Sequence, residues 1–223
     1  MNPSRLLERP SIAVDATVQS HYRALVQKHG DSHVSAQYSS RESQEARFAV
    51  LTSIGELSGQ RLLDFGCGCG QLAEYLSVRG VRCHYTGVDV VEEFFDICRQ
   101  KFSQHRFGTW ADFEAERFDY AIVSGVFNNR IADNQEFFES TIATLFQRVD
   151  KGIAFNLMSR YVDFEDTCLW YTSPELVFGY LKSLTPFVTL RHDYVVKPGG
   201  VAFEYTVYAY RNALEAYVCA PHR

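Results

Sequence analysis

The sequence predicts an α/β protein, a mostly parallel sheet flanked by helices and finished by an antiparallel hairpin. Three observations carry that reading. Short apolar runs of strand length alternate with stretches of helical period along most of the chain. The run Leu62-Leu63-Asp64-Phe65 breaks into Gly66-Cys67-Gly68-Cys69-Gly70 just before a helical pattern opens at Gln71, which reads as strand, tight turn and helix. Two strand-like runs, Phe187 to Tyr194 and Phe203 to Tyr210, join through Lys197-Pro198-Gly199-Gly200, a hairpin signature.

Taken in order, residues 1 to 14 carry two prolines and no sustained period, so a loose arm is expected. Val18, Tyr22, Leu25, Val26 and His29 are spaced as one face of a helix beginning at Ala16. The small, polar run from Gly30 to Tyr38 reads as a loop. Ser39-Ser40-Arg41-Glu42 has a capping-box pattern, and Ala46, Val50, Ile54 and Leu57 continue a second helix from it. Gly59-Gln60 turns the chain into the first strand. Leu72, Tyr75 and Leu76 mark the first crossover helix, ended by Gly80. A second strand, His84 to Asp89, precedes a helix marked by Phe94, Ile97, Cys98 and Phe102. The third strand is expected near Arg106 to Trp110 and the fourth over Phe118 to Gly125. Phe138, Ile142, Leu145 and Val149 repeat helically before Asp150-Lys151-Gly152 turns the chain into a fifth strand, Gly152 to Met158. Proline in the first turn of Ser173-Pro174-Glu175 opens a last helix, with Val177, Tyr180, Leu181 and Leu184 inward.

With 223 residues, 46% hydrophobic and 14% aromatic, the chain has enough apolar material for one well-packed core. A formal charge of −5 argues against a surface built for phosphate backbones, so no nucleic-acid partner is expected. Neither a membrane-length apolar run nor a signal-peptide core is visible, which predicts a cytoplasmic protein with no membrane partner. The six cysteines follow no disulfide or zinc spacing, and Cys67-x-Cys69 lies where a tight loop needs small side chains. No metal is expected.

The glycine loop and two acids define a ligand seat. Glycines let a ligand approach the main chain, and a helix N-terminus adds unpaired N–H groups. Asp64, two residues before Gly66, is placed to reach an amino acid's ammonium. Asp89, at the end of the second strand, is placed to accept hydrogen bonds from both hydroxyls of a ribose. The spacing is G-x-G-x-G, unlike the G-x-G-x-x-G of nicotinamide and flavin enzymes, which leaves a Rossmann oxidoreductase as the rival reading. Leu63-Asp64-Phe65-Gly66-Cys67-Gly68, then Gly87-Val88-Asp89, then Phe118-Asp119-Tyr120 resemble, in order, motifs of the class I S-adenosylmethionine-dependent methyltransferases. The resemblance spans roughly residues 40 to 211. It implies a Rossmann-like sheet of seven strands with helices on both faces. Domain bounds follow: an N-terminal arm and helical lid over 1–58, a cofactor-binding core over 59–211, and a tail over 212–223.

The resemblance also implies roles. Asp64, Gly66, Cys67, Gly68 and Gly70 would hold the methionine end of S-adenosylmethionine, and Asp89 its ribose. Val90 would lie on adenine, and Ala111 and Asp112 would stand beside its exocyclic amine, Asp112 being otherwise a solvated loop acid. Ser124 and Gly125 would lie beneath the sulfur. Arg47 would pair with the donor's carboxylate or else lie on a helix surface, and Tyr38 would close over the cofactor or fill a loop core.

The activity implied is methyl transfer to an oxygen or nitrogen of a small-molecule acceptor by in-line displacement. The Ser124-Gly125-Val126-Phe127 run lacks the proline pair expected of enzymes that methylate base amino groups. A cofactor-binding protein without transfer and an RNA methyltransferase are the alternatives. If the acceptor must lose a proton, His29 and His33 (with Asp31 beside them) are candidate bases, and Asn128 and Arg130 candidate orienting groups. The oligomeric state and the acceptor's identity are not encoded in any motif.

Overall fold

The computed structural model of the chain describes residue 12 and residues 16–213. The predicted alternation is present. Strands β1 (Arg61–Phe65), β2 (His84–Val88), β3 (Arg106–Gly108), β4 (Phe118–Val123), β5 (Val149–Ser159), β7 (Phe187–Arg191) and β8 (Glu204–Tyr210) form one sheet in the order β3-β2-β1-β4-β5-β8-β7. A two-residue strand, β6 (Tyr171–Thr172), adds a parallel pairing to the end of β5. The first five strands run parallel, and β8 is antiparallel to both β5 and β7.

Helices α1 (Ala16–His29), α2 (Arg41–Leu51), α3 (Gln71–Val78), α4 (Glu93–Lys101), α5 (Trp110–Phe113), α6 (Asn134–Arg148) and α7 (Pro174–Leu184) surround this sheet. Strand alternation sends successive side chains to opposite faces. Leu62, Ile122, Ala154 and Tyr208 pack with Phe48 and Leu51 of α2, Leu72 and Leu76 of α3, and Phe95 and Cys98 of α4. Leu63, Ala121, Val123, Ile153, Phe155 and Val207 pack with Phe138, Ile142 and Leu145 of α6 and with Val177 and Leu181 of α7. Both faces are covered, so the central strands are apolar throughout rather than alternating. Truncating a side chain such as Leu63, which has no exposed surface, would cost about 2–5 kcal/mol.

Several boundaries differ from the sequence expectations for physical reasons. The cap of α2 is Ser40, whose hydroxyl accepts from Ser43 N, so the helix starts one residue later than the Ser39–Glu42 pattern implies. β5 begins at Val149, and Asp150-Lys151-Gly152 lies inside the strand. Gly152 is needed there because a Cβ would stand 2.9 Å from the Ala209 carbonyl of β8. β3 stops at Gly108, and Thr109 caps α5 where strand was expected. The loop from Gly30 to Tyr38 contains a single 3-10 turn over His33–Ala36, capped by Ser32. The arm over 1–14, residue 12 excepted, and most of the tail lie outside the described residues. No helix among them is long and apolar enough to cross a membrane.

Candidate cofactor and acceptor site

β1 has neighbours β2 and β4 on opposite sides, so the strand order reverses beside it. A cleft opens at the carboxyl ends of the strands at such a switch point. Here it is a cavity of about 860 Å³, large even among ligand pockets of roughly 300–1,000 Å³.

Its floor is the glycine loop. Gly66 and Gly68 have φ of 82° and 51°, angles that favour glycine, and a Cβ on Gly66 would lie 2.3 Å from Val126 Cγ2. The amides of Gly66 and Cys67 donate to Val88 O, tying the loop to the end of β2. Asp89 follows immediately. Its Oδ2 accepts from Gly68 N at 2.9 Å, and its Oδ1 accepts from Val90 N and Val91 N at 2.8 and 3.1 Å. Three backbone donors lock this carboxylate in the cleft wall. Enclosure pushes its pKa above the ordinary carboxylate value, while the three donors pull it back.

Asp64 is 3% exposed and accepts a short hydrogen bond from Tyr85 Oη. Burial raises its pKa to about 7, opposed by that hydrogen bond. A carboxyl so costly to ionise is set to receive a cationic group, because a neighbouring positive charge would offset the desolvation.

The far wall comes from β4 and the N-terminal segment. Tyr38 Oη and Ser124 Oγ share a 2.9 Å hydrogen bond, and Gly125 N donates to Asn156 Oδ1. Gln19 Nε2 donates to Val90 O, and Asn129 Nδ2 donates to both Tyr22 Oη and Gln37 Oε1. The α1 helix and its following loop are thus pinned across the cleft, at the second strand on one side and the fourth on the other.

Of the residues singled out by sequence, Tyr38, Arg47, Asp64, Gly66, Cys67, Gly68, Asp89, Val90, Ala111, Ser124, Gly125 and Asn128 line this cavity. Others are placed elsewhere. Gly70 caps α3 and faces inward, where a Cβ would meet Phe102 and Cys98 at 3.2 and 3.3 Å, so it serves packing. Asp112 turns back to accept from the amide and hydroxyl of Thr109 at the start of α5. His29 and His33 do not line the cavity, His33 lying at a separate 230 Å³ pocket. Asp31 is paired with Lys101 at 2.8 Å, and Arg130 donates to the carbonyls of Thr167 and Leu169. Neither Asp31 nor Arg130 lines the cavity. Arg47 is neither free nor on the surface, because Glu204 holds it in a buried pair.

Sequence reasoning missed Gln19, Tyr22, Trp110, Met158, Lys197 and Phe203, all of which line the cleft. Tyr22 and Gln19 lie on a helix read only for its apolar period, and Lys197 was read only as part of a turn. Their distance along the chain from the glycine loop hides them, and no motif marks them.

The residues present fit S-adenosylmethionine. The two acids lining the cavity would accept from an ammonium and a ribose, the glycines would leave room for the methionine end, and Val90, Trp110 and Ala111 would offer apolar surface to adenine. Comparison with known proteins agrees. Residues 63–147 match the family described as a methyltransferase domain. A Mycobacterium tuberculosis (strain ATCC 25618 / H37Rv) protein named as a methyltransferase, with no substrate in its name, is 33% identical over 141 residues, covering 59% of this chain and 84% of that protein. The ubiquinone biosynthesis O-methyltransferase of Bordetella pertussis is 42% identical over 50 residues, 22% of this chain and 20% of that enzyme. In fold, the chain resembles magnesium protoporphyrin IX methyltransferase from Synechocystis PCC 6803, crystallised with bound S-adenosylmethionine. The TM-score is 0.61 at 17% identity, covering 95% of this chain and all of that one. The family match lies on the glycine loop and the strands that build the cleft. The chain belongs to the class I S-adenosylmethionine-dependent methyltransferases.

Proposed function

We propose that the chain methylates an oxygen or nitrogen atom of a small-molecule acceptor. The observation that carries this reading is the continuity of the cleft. The cavity that begins at Asp64, Asp89 and the glycine loop extends without a break past Ser124 and Gly125 to Asn128, Met158, Leu169 and Phe203. A donor seated on the glycine loop leaves that second compartment for an acceptor.

When bound, S-adenosylmethionine supplies the methyl group, whose carbon–sulfur bond breaks with its electron pair staying on sulfur. The chain's own part is alignment and exclusion of water. Fixing an acceptor atom in line with the methyl group supplies most of the rate such a reaction needs. Asn128 is the residue best suited to orient that atom. Its Oδ1 is buried and has no hydrogen-bond partner among the described residues, and a hydroxyl or amine of the acceptor would satisfy it. Within the 1–58 segment, the described residues from α1 onward act as a lid on the core over 59–211, with α1 and Tyr38 closing the cleft. The small-molecule acceptors in the names of the O-methyltransferase and porphyrin methyltransferase relatives support the reading.

The test is incubation of the protein with methyl-labelled donor and a whole-cell extract that holds both small metabolites and RNA, with the fractions read separately by mass spectrometry. The label should appear in a low-mass product. Label in RNA, or donor binding without any transfer, would overturn the proposal.

A further inference from the structure

Charge and apolar surface are unevenly divided along the cleft. The acids that line it, Asp64, Asp89, Glu92 and Glu114, lie on β1, after β2, before α4 and after α5, at the end where the cationic donor sits. The opposite compartment, on the β4, β5 and β8 side, is walled by Ile131, Phe137, Met158 and Phe203. Two of those four are aromatic, and ring faces favour a flat, apolar guest by offset or edge-to-face contact.

Two cationic side chains line the cavity. Arg47 is neutralised by Glu204. Lys197, at the exposed hairpin turn between β7 and β8, has its Nζ 5.9 Å from the Phe203 ring centroid, and no acidic partner is found for it among the described residues. The turn itself is fixed by a hydrogen bond from Gly200 N to Lys197 O. An ammonium without a carboxylate, at the rim of an apolar aromatic compartment, suits an anion attached to an apolar body.

We propose that the acceptor compartment takes a planar, predominantly apolar molecule bearing an anionic group, with the ring between Phe137 and Phe203 and the anion at Lys197. This rests on the reading of that compartment as the acceptor site. It adds the shape and charge of the acceptor to that reading.

The test is calorimetric titration of the full chain, saturated with S-adenosylhomocysteine, using 2-naphthoate and its neutral counterpart 2-naphthamide as probes. Naphthoate should bind about fivefold tighter than the amide, the strength of a partly exposed ion pair. Lys197→Met should remove that preference while leaving the affinities for naphthamide and S-adenosylhomocysteine unchanged. Equal binding of the two probes, an unaltered preference in Lys197→Met, or no binding of either probe to the S-adenosylhomocysteine complex would overturn the proposal and leave the donor site standing. Failure of S-adenosylhomocysteine itself to bind would instead overturn the cleft assignment on which both readings rest.

Discussion

Arg47 on α2 and Glu204 at the start of β8 form a buried ion pair across 157 residues of sequence. Nε and Nη2 both lie 2.7 Å from Glu204 Oε2, and the two side chains are 8% and 1% exposed. Nη1 donates to the carbonyl and hydroxyl of Ser43. On the other carboxylate oxygen, Tyr194 Oη donates at 3.1 Å and Asn156 Nδ2 at 3.5 Å, and Asn156 Oδ1 in turn accepts from Gly125 N. The Tyr38 ring lies 5.2 Å from the guanidinium carbon. One charge pair therefore ties α2, the hairpin and the end of β4 into a single wall of the cleft.

Breaking that pair should be expensive, because the surviving charge is left buried and uncompensated. Glu204→Ala should destabilise the protein by about 3–5 kcal/mol, read as a lowered midpoint in urea denaturation. A loss below about 1 kcal/mol would show that water reaches Arg47.

Asp89→Ala removes a carboxylate already oriented by three backbone donors. Charge-assisted hydrogen bonds to the ribose are worth about 1.5–3 kcal/mol, so S-adenosylmethionine affinity should fall about ten- to a hundredfold. Calorimetry on the folded variant checks this, and an unchanged affinity would remove the ribose assignment.

Asp64 gives the protein a pH dependence with a defined sign. Its pKa rises from the ordinary 3.8 to about 7 on folding, so between those values the folded state holds more protons than the unfolded one. The contribution of Asp64 to stability is therefore fully present below about pH 4 and is lost as pH rises through about 7. A donor ammonium beside it would favour the ionised form, so affinity for S-adenosylmethionine should increase from pH 6 to pH 8 with proton release on binding. Titration in buffers of differing ionisation enthalpy measures the released proton, and Asp64→Asn should abolish it.

Tyr38→Phe keeps the ring against Arg47 and deletes the hydrogen bond to Ser124. Closure should weaken by about 0.5–1.5 kcal/mol, a turnover loss of roughly two- to tenfold. S-adenosylhomocysteine binding should change by less than about twofold. Equal losses in turnover and in binding would place Tyr38 in the donor seat and not in the lid.

The sequence by itself determined the order of the main strands and helices, the glycine loop at the cleft floor and the two acids that line the cavity beside it. Those features are local, because strand period, turn chemistry and an acid at a strand's end are properties of a few adjacent residues. Side-chain fate was decided by tertiary structure. Asp112 and Asp89 look alike in sequence, yet one is spent on the Thr109 cap and the other is presented to the cleft. Arg47 reads as a partner for the donor's carboxylate or as a helix-surface cation until β8 brings Glu204 against it. His29 and His33 sit in a proton-handling stretch, but the pinning of Tyr22, Gln37 and Tyr38 at β4 and the loop after it turns other residues toward the cavity. The cavity draws Tyr22, Phe137, Met158 and Phe203 from four distant segments, and only the packing of helices and hairpin on one sheet end gathers them.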